Sequence, residues 1–150
     1  MSVFPTKILL ATDGSPDAEL ANSTAADLAN ATNSELHVVT VVRTPDPAYI
    51  TDMNIGANYE KLMQSIRHEA QETLEKEINK VEEADGKVIE GYVRVGESRE
   101  QEIVRLSEEL GIGLIVMGSR GLGGMRRALM GSVSDGVVRN AHCPVMVVRQ

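Results

Sequence analysis

The stretch LIVMGSRGLGGMRRALMGSVS, Leu114 to Ser134, opens as four apolar residues and turns at once into a segment dominated by glycine. Between Gly118 and Ser132, fifteen residues hold five glycines, three arginines and two serines. Glycine loses the most conformational freedom on ordering, so its concentration here implies a backbone that something must approach closely. The apolar run has the length of a strand, and a short helix is expected from about Ser132 to Asn140. The unit is therefore strand, glycine loop, helix, and Val145 to Val148 (VMVV) supplies one more strand.

The chain upstream repeats the same grammar. Lys7 to Thr12 (KILLAT) reads as a strand, Asp13-Gly14 as a turn, and Ser15-Pro16 as an N-cap with proline at the first helical position. Ala18, Ala21, Ala25, Leu28 and Ala29 then recur at helical spacing, and their small size places that helix close to a sheet, with its end near Thr32-Asn33. Glu35 to Val42 is β-branched and almost continuously apolar, as a strand covered on both faces must be. Arg43 to Asn58, with Pro45 and Pro47, reads as a loop. Leu62, Ile66, Ala70, Leu74, Ile78 and Val81 mark the inner face of a helix from about Tyr59 to Ala84, ended by Asp85-Gly86. Val88 to Val95 is a third strand, and Ser98-Arg99-Glu100-Gln101 forms a capping box opening a helix that buries Ile103, Val104, Leu106 and Leu110 before Gly111 and Gly113. Strand and helix alternate from end to end, which predicts an α/β fold: one domain, residues 1–150, with a parallel sheet and helices on both of its faces.

Composition narrows the partners. Fifteen basic residues stand against twenty-two acidic ones, a formal charge of −7, with one Phe, three Tyr and no Trp. Neither phosphate-backbone attraction nor base stacking is favoured, so nucleic acid is not an expected partner. The single cysteine, Cys143, forms no intramolecular disulfide, and MSVFPTKILLATDG has no secretory leader. No apolar run approaches the roughly 18 residues of a membrane helix. A cytoplasmic protein without a membrane partner is expected. His37, His68 and His142 fall on separate elements, which gives no metal-ligand spacing. Cys143, like Met117, Met130 and Met146, is read as packing.

In open parallel sheets, ligands lie beyond the carboxyl ends of the strands, where strand order reverses. Two loops have that position: Thr12 to Ser15 after the first strand, and the segment from Gly118 after the fourth. Gly118 and Gly121 let the main chain turn and bare its N–H groups, and Gly131-Ser132 stands where the last helix begins. A helix N-terminus carries unpaired donors and about half a positive charge, which together attract phosphate oxygens. The hydroxyls of Ser132 and Ser134 add donors, and Arg120, Arg126 and Arg127 make the spot basic. On residue chemistry alone Asp13 serves equally as a turn residue, and the arginines equally as a solvated face. Neither the G-K-[ST] of a Walker loop nor a G-x-G-x-x-G after the first strand is present.

The spacing Gly118-x-x-Gly121, nine residues, then Gly131-Ser132 resembles the ATP-binding signature of the universal stress protein family. ATDGS at Ala11 to Ser15, VVTVV at Val38 to Val42, VMGSRGLGGMRRALMGSVS at Val116 to Ser134 and HCPVMVV at His142 to Val148 carry the likeness along nearly the whole chain. The resemblance implies a five-stranded sheet in the order 3-2-1-4-5 with ATP across strands one and four. It implies that Asp13 lies near ribose and phosphates, that the Val41 backbone meets adenine, and that Met117 contacts adenine. Gly118, Gly121, Gly131, Ser132, Val133 and Ser134 then form the phosphate and ribose cradle. Ala11, Thr12 and Ser15 in the first loop, and Ser119 and Arg120 in the second, complete the implied nucleotide contacts. A homodimer through the C-terminal strand is also implied. Asp13 repels a triphosphate, and a Mg²⁺ ion or a ribose hydroxyl between them resolves the conflict.

No serine, histidine and carboxylate converge in the predicted loops. The expected function is a nucleotide-dependent regulator or sensor in stress response, not an enzyme, acting on an unknown protein partner. Two alternatives stand beside it: a homodimeric assembly module in which nucleotide is incidental, motivated by the apolar terminal strand, and a slow Mg²⁺-dependent ATPase.

Overall fold

The structure, a computed structural model, describes residues 2–46, 55–119 and 130–149. Its elements run β1 (Lys7–Ala11), α1 (Ala18–Thr32), β2 (Glu35–Arg43), α2 (Ile55–Glu83), β3 (Val88–Gly96), α3 (Arg99–Leu110), β4 (Leu114–Gly118), α4 (Ser132–Asn140) and β5 (Val145–Val148). The strands form one parallel sheet in the order β3-β2-β1-β4-β5, which is the order the family resemblance implies.

The two-residue period of a strand divides the core. Ile8, Leu10, Leu36, Val38, Leu114 and Val116 point to one face, where α1 brings Ala21, Ala25 and Ala29 and α2 brings Leu74 and Val81. Leu9, Ala11, Val39, Val41, Ile115 and Met117 point to the other, against Ile103 and Leu106 of α3 and Val137 of α4. Central β1 is sealed by both layers, with Ile8, Leu9 and Leu10 fully buried. The alanines of α1 let the helix backbone lie close to the strands, as their size predicted.

Crossovers through α1 and α2 run outward to β3 on one side, and those through α3 and α4 run to β5 on the other. Strand order therefore reverses between β1 and β4, and a crevice must open at their carboxyl ends.

Several boundaries differ from the sequence reading. α1 begins at Ala18, with Asp17 as its N-cap and no side-chain cap bond. Ser15 and Pro16 instead form a lead-in turn, their carbonyls accepting from the N–H groups of Ala18 at 3.0 Å and Glu19 at 3.3 Å. α2 begins at Ile55, ahead of the expected Tyr59, and takes the end of the predicted loop with it. Residues 47–54 of that loop lie outside the described residues. Met146 faces outward, 37% exposed, because β5 is an edge strand. The capping expectation holds in part at α3, where Ser98 Oγ accepts from the Gln101 N–H at 3.3 Å, and Gly111 closes the helix at φ 69°.

Candidate functional site

Ala11 and Met117 are register partners across β1 and β4, so the chain leaves both strands at the mouth of the crevice. After β1, Thr12 continues the ladder by donating its N–H to Val39 O at 3.0 Å. The chain then folds into an Asx turn in which the Ser15 N–H donates to Asp13 Oδ1 at 2.9 Å, with Gly14 between them at φ 78°. A side chain at Gly14 meets α2, since a Cβ there would lie 2.9 Å from Thr73 Cγ2. Residue chemistry alone leaves Asp13 open between turn former and ligand contact, and the family resemblance favours the contact. Its carboxylate forms the turn and also lines a cleft.

The second loop is fastened at one atom. Ser119 donates its N–H to Val148 O of β5 at 2.9 Å, while its carbonyl accepts from the Gly131 N–H at 2.7 Å and from Ser134 Oγ at 3.0 Å. Ser119 and Gly131 are thus held together at the tip of β4, where α4 begins. The first bond of the α4 ladder runs from the Asp135 N–H to Gly131 O at 2.9 Å. The amides of Ser132, Val133 and Ser134 precede that ladder and form the positive end of the helix. Ser132 is exposed, and Gly118, Gly131 and Val133 are half-buried. Arg120, Gly121, Arg126 and Arg127 lie outside the described residues.

Two of the expected contact residues have buried hydroxyls. The Ser134 hydroxyl is 2% exposed and donates inward to the carbonyls of Ser119 and Gly131, so it holds the loop closed and is not a free donor for phosphate. Ser15 is also 2% exposed, and its Oγ is sealed from solvent, so it contributes its backbone to the Asx turn and no side chain to the crevice. Ser134 retains its amide at the helix end.

Ala11, Val41 and Met117, with half-buried Val133 against them, form the upper edge of the apolar layer under α3 and α4. Asp13 and Val41 share the wall of a cleft of roughly 700 Å³ with Ile66, Ala70 and Thr73 of α2 and Arg99 of α3. Sequence reasoning assigned Ile66 and Ala70 to core alone and gave Thr73 and Arg99 no part. Arg99 had a signal, because it opens the helix after β3 at the same carboxyl edge of the sheet.

Among the described residues, no group of three or more His, Cys, Asp or Glu is arranged to hold a metal. A Mg²⁺ ion carried on nucleotide phosphates needs only one or two protein carboxylates, a role open to Asp13 on the cleft wall. Burial pushes the Cys143 thiol above its usual range, which suits packing and not nucleophilic attack. No helix of the described residues is long and apolar enough to cross a membrane.

A family model described as the universal stress protein family matches residues 5–149. A universal stress protein of Methanocaldococcus jannaschii is 34% identical over 144 residues, covering 96% of this chain and 82% of its own. A putative universal stress protein of Staphylococcus haemolyticus is 31% identical over 146 residues, covering 95% and 83%. Among solved structures, a hypothetical protein whose biochemical function was assigned from its structure aligns with TM-score 0.81 and 26% identity over 98% of this chain and 97% of its own. A universal stress protein in complex with cAMP aligns with TM-score 0.68 and 24% identity over 97% of this chain and 98% of its own. One from Archaeoglobus fulgidus in complex with dAMP aligns with TM-score 0.65 and 21% identity over 97% and 98%. At these last two identities the likeness is one of fold.

Proposed function

The chain belongs to the universal stress protein family, and from that premise we propose that it binds an adenine nucleotide, ATP, and acts as a nucleotide-dependent regulator in stress response and not as an enzyme. The observation that carries this reading is the fastening at the Ser119 carbonyl, which sets the amide end of α4 beside the tips of β1 and β4. Phosphates lie at the amides of Ser132, Val133 and Ser134 and along Gly118. The base lies over the apolar edge made by Val41 and Met117, and Asp13 takes the ribose or a phosphate-bound Mg²⁺. Two proteins of the same fold are complexes with cAMP and dAMP, which supports an adenine nucleotide as the ligand class.

None of the three histidines lines the cleft. His37 bonds Tyr92 within the sheet, and His68 and His142 pair with Glu72 and Glu108 on the surface. Edge strand β5, with half-buried Val145 and Val147 and exposed Met146, is proposed as the homodimer contact.

Gly131 offers a clean test. Its φ of −65° and ψ of 157° suit any residue, so Gly131→Leu adds bulk at the helix end without backbone strain. ATP affinity, measured by calorimetry, is expected to fall more than about tenfold, or roughly 1.4 kcal/mol. Wild-type protein that takes up no adenine nucleotide, or a variant that binds ATP as tightly as wild type, would sink the proposal.

A further inference from the structure

Glu77 lies on the inner face of α2 between Leu74 and Val81, and it is only 2% exposed. A carboxylate in such a place costs several kcal/mol unless it is bonded and partly neutralised. Here Oε2 accepts from Asn22 Nδ2 of α1 at 2.5 Å, and Oε1 lies 3.4 Å from Lys80 Nζ, which also reaches Glu19 Oε1 at 3.4 Å. Asn22 is itself 3% exposed. Plain apolar packing would join α1 to α2 at lower cost, so the pair calls for a role beyond adhesion.

The same carboxylate abuts the turn that carries Asp13. A Cβ at Gly14 would lie 3.7 Å from Glu77 Oε1 and 2.9 Å from Thr73 Cγ2, one helical turn away on α2. Glu77 thus bonds the helix that follows the turn, through Asn22, and stands close to the space over Gly14 in the turn itself. Apolar contact leaves two helices free to slide, whereas a hydrogen bond of this kind fixes distance and direction together. The Asp13 carboxylate, on the cleft wall, inherits that fixed position.

We propose that Glu77 is a positioning residue for nucleotide binding: bonded to Asn22 and packed under Gly14, it holds the Asp13–Ser15 turn where the nucleotide needs it. This rests on the nucleotide reading above, and the experiment separates the two. Amide hydrogen exchange at Gly14 and Ser15 is compared between wild type, Asn22→Ala and the volume-conserving Glu77→Met, together with ATP affinity for each. Losing a bond to a charged group is worth about tenfold or more, so exchange at both amides should quicken by about that factor while the amides of β1 stay protected. ATP affinity should fall about tenfold in each single variant and no further in the double variant, because both remove one interaction. Glu77→Gln, whose amide oxygen accepts from Asn22, should recover most of the loss. Unchanged exchange at Gly14 and Ser15 overturns the proposal, and so does faster exchange with unaltered ATP affinity, which leaves a structural staple. Wild-type protein that binds no ATP counts against the nucleotide reading, and the exchange data then still decide whether Glu77 fixes the turn.

Discussion

Replacing Gly14 with alanine probes the turn at the crevice mouth in two separable ways. The residue sits at φ 78°, in the left-handed region, where a side chain costs roughly 1–2 kcal/mol. The new Cβ also falls 2.9 Å from Thr73 Cγ2, well inside the roughly 3.5–4.0 Å of a favourable carbon contact. Thr73 is β-branched and on a helix, where threonine has only two common χ1 rotamers, so relieving the contact means exchanging the methyl with the hydroxyl. Overpacking of this kind costs about 1–3 kcal/mol, and the total for Gly14→Ala is about 2–5 kcal/mol. Urea unfolding followed by circular dichroism reads this as a lower midpoint at unchanged slope. Placing Gly14→Ala on a Thr73→Ser background, which lacks the Cγ2 methyl, should return the steric share and leave the backbone share. A loss below about 0.5 kcal/mol, or no recovery with Thr73→Ser, would refute the account of why glycine stands here.

Two further outcomes follow from other parts of the fold. His37 is held below its usual 6.5 chiefly by burial, with the carboxylates of Glu35 and Glu90 opposing and Lys7 reinforcing, and its Nδ1 lies 3.1 Å from Tyr92 Oη. The unfolded chain therefore takes the proton first, so this share of stability is whole above pH 6.5 and is lost as pH falls from there toward the lowered folded value. Denaturation midpoints from about pH 7 to 5 should fall more steeply for wild type than for His37→Gln, and equal slopes would contradict it. At the sheet edge, the carbonyls of Pro144 and Val148 accept from Ile115 and Ser119 of the β4 side, which turns the main-chain groups of Val145 and Val147 outward. Val147→Pro removes one outward donor and should leave a monomer in sedimentation at micromolar concentration, whereas a persisting dimer would move the contact elsewhere.

The strands could be read because a buried parallel strand has few alternatives: KILLA and LIVM offer no helical period, and every residue in them but Lys7 is buried, whereas the strand order was implied only by the family resemblance. The polar members of the helix interfaces were not read, for a reason that lies in the rule itself. Glu77 follows Leu74 by three residues and precedes Val81 by four, squarely within the apolar stripe, yet a glutamate on a helix is assigned to water by default. Asn22 sits within the run Ala18, Ala21, Ala25 and Ala26 and was passed over likewise. Their positions were the signal, and their chemistry masked it. The fastening at Ser119 was hidden more deeply. Main-chain N–H and C=O groups are the same at every residue, so a sequence can mark where a backbone is open to approach, as at Gly118 and Gly131, but not which carbonyl receives which amide. That pairing comes from the tip of β4 and the start of α4 meeting across the sheet edge. The placing of these amides is therefore a property of topology that glycine only permits. The Ser134 hydroxyl belongs to the same arrangement: it was expected to face a ligand, and it is spent on the Ser119 and Gly131 carbonyls that bring the helix end into place.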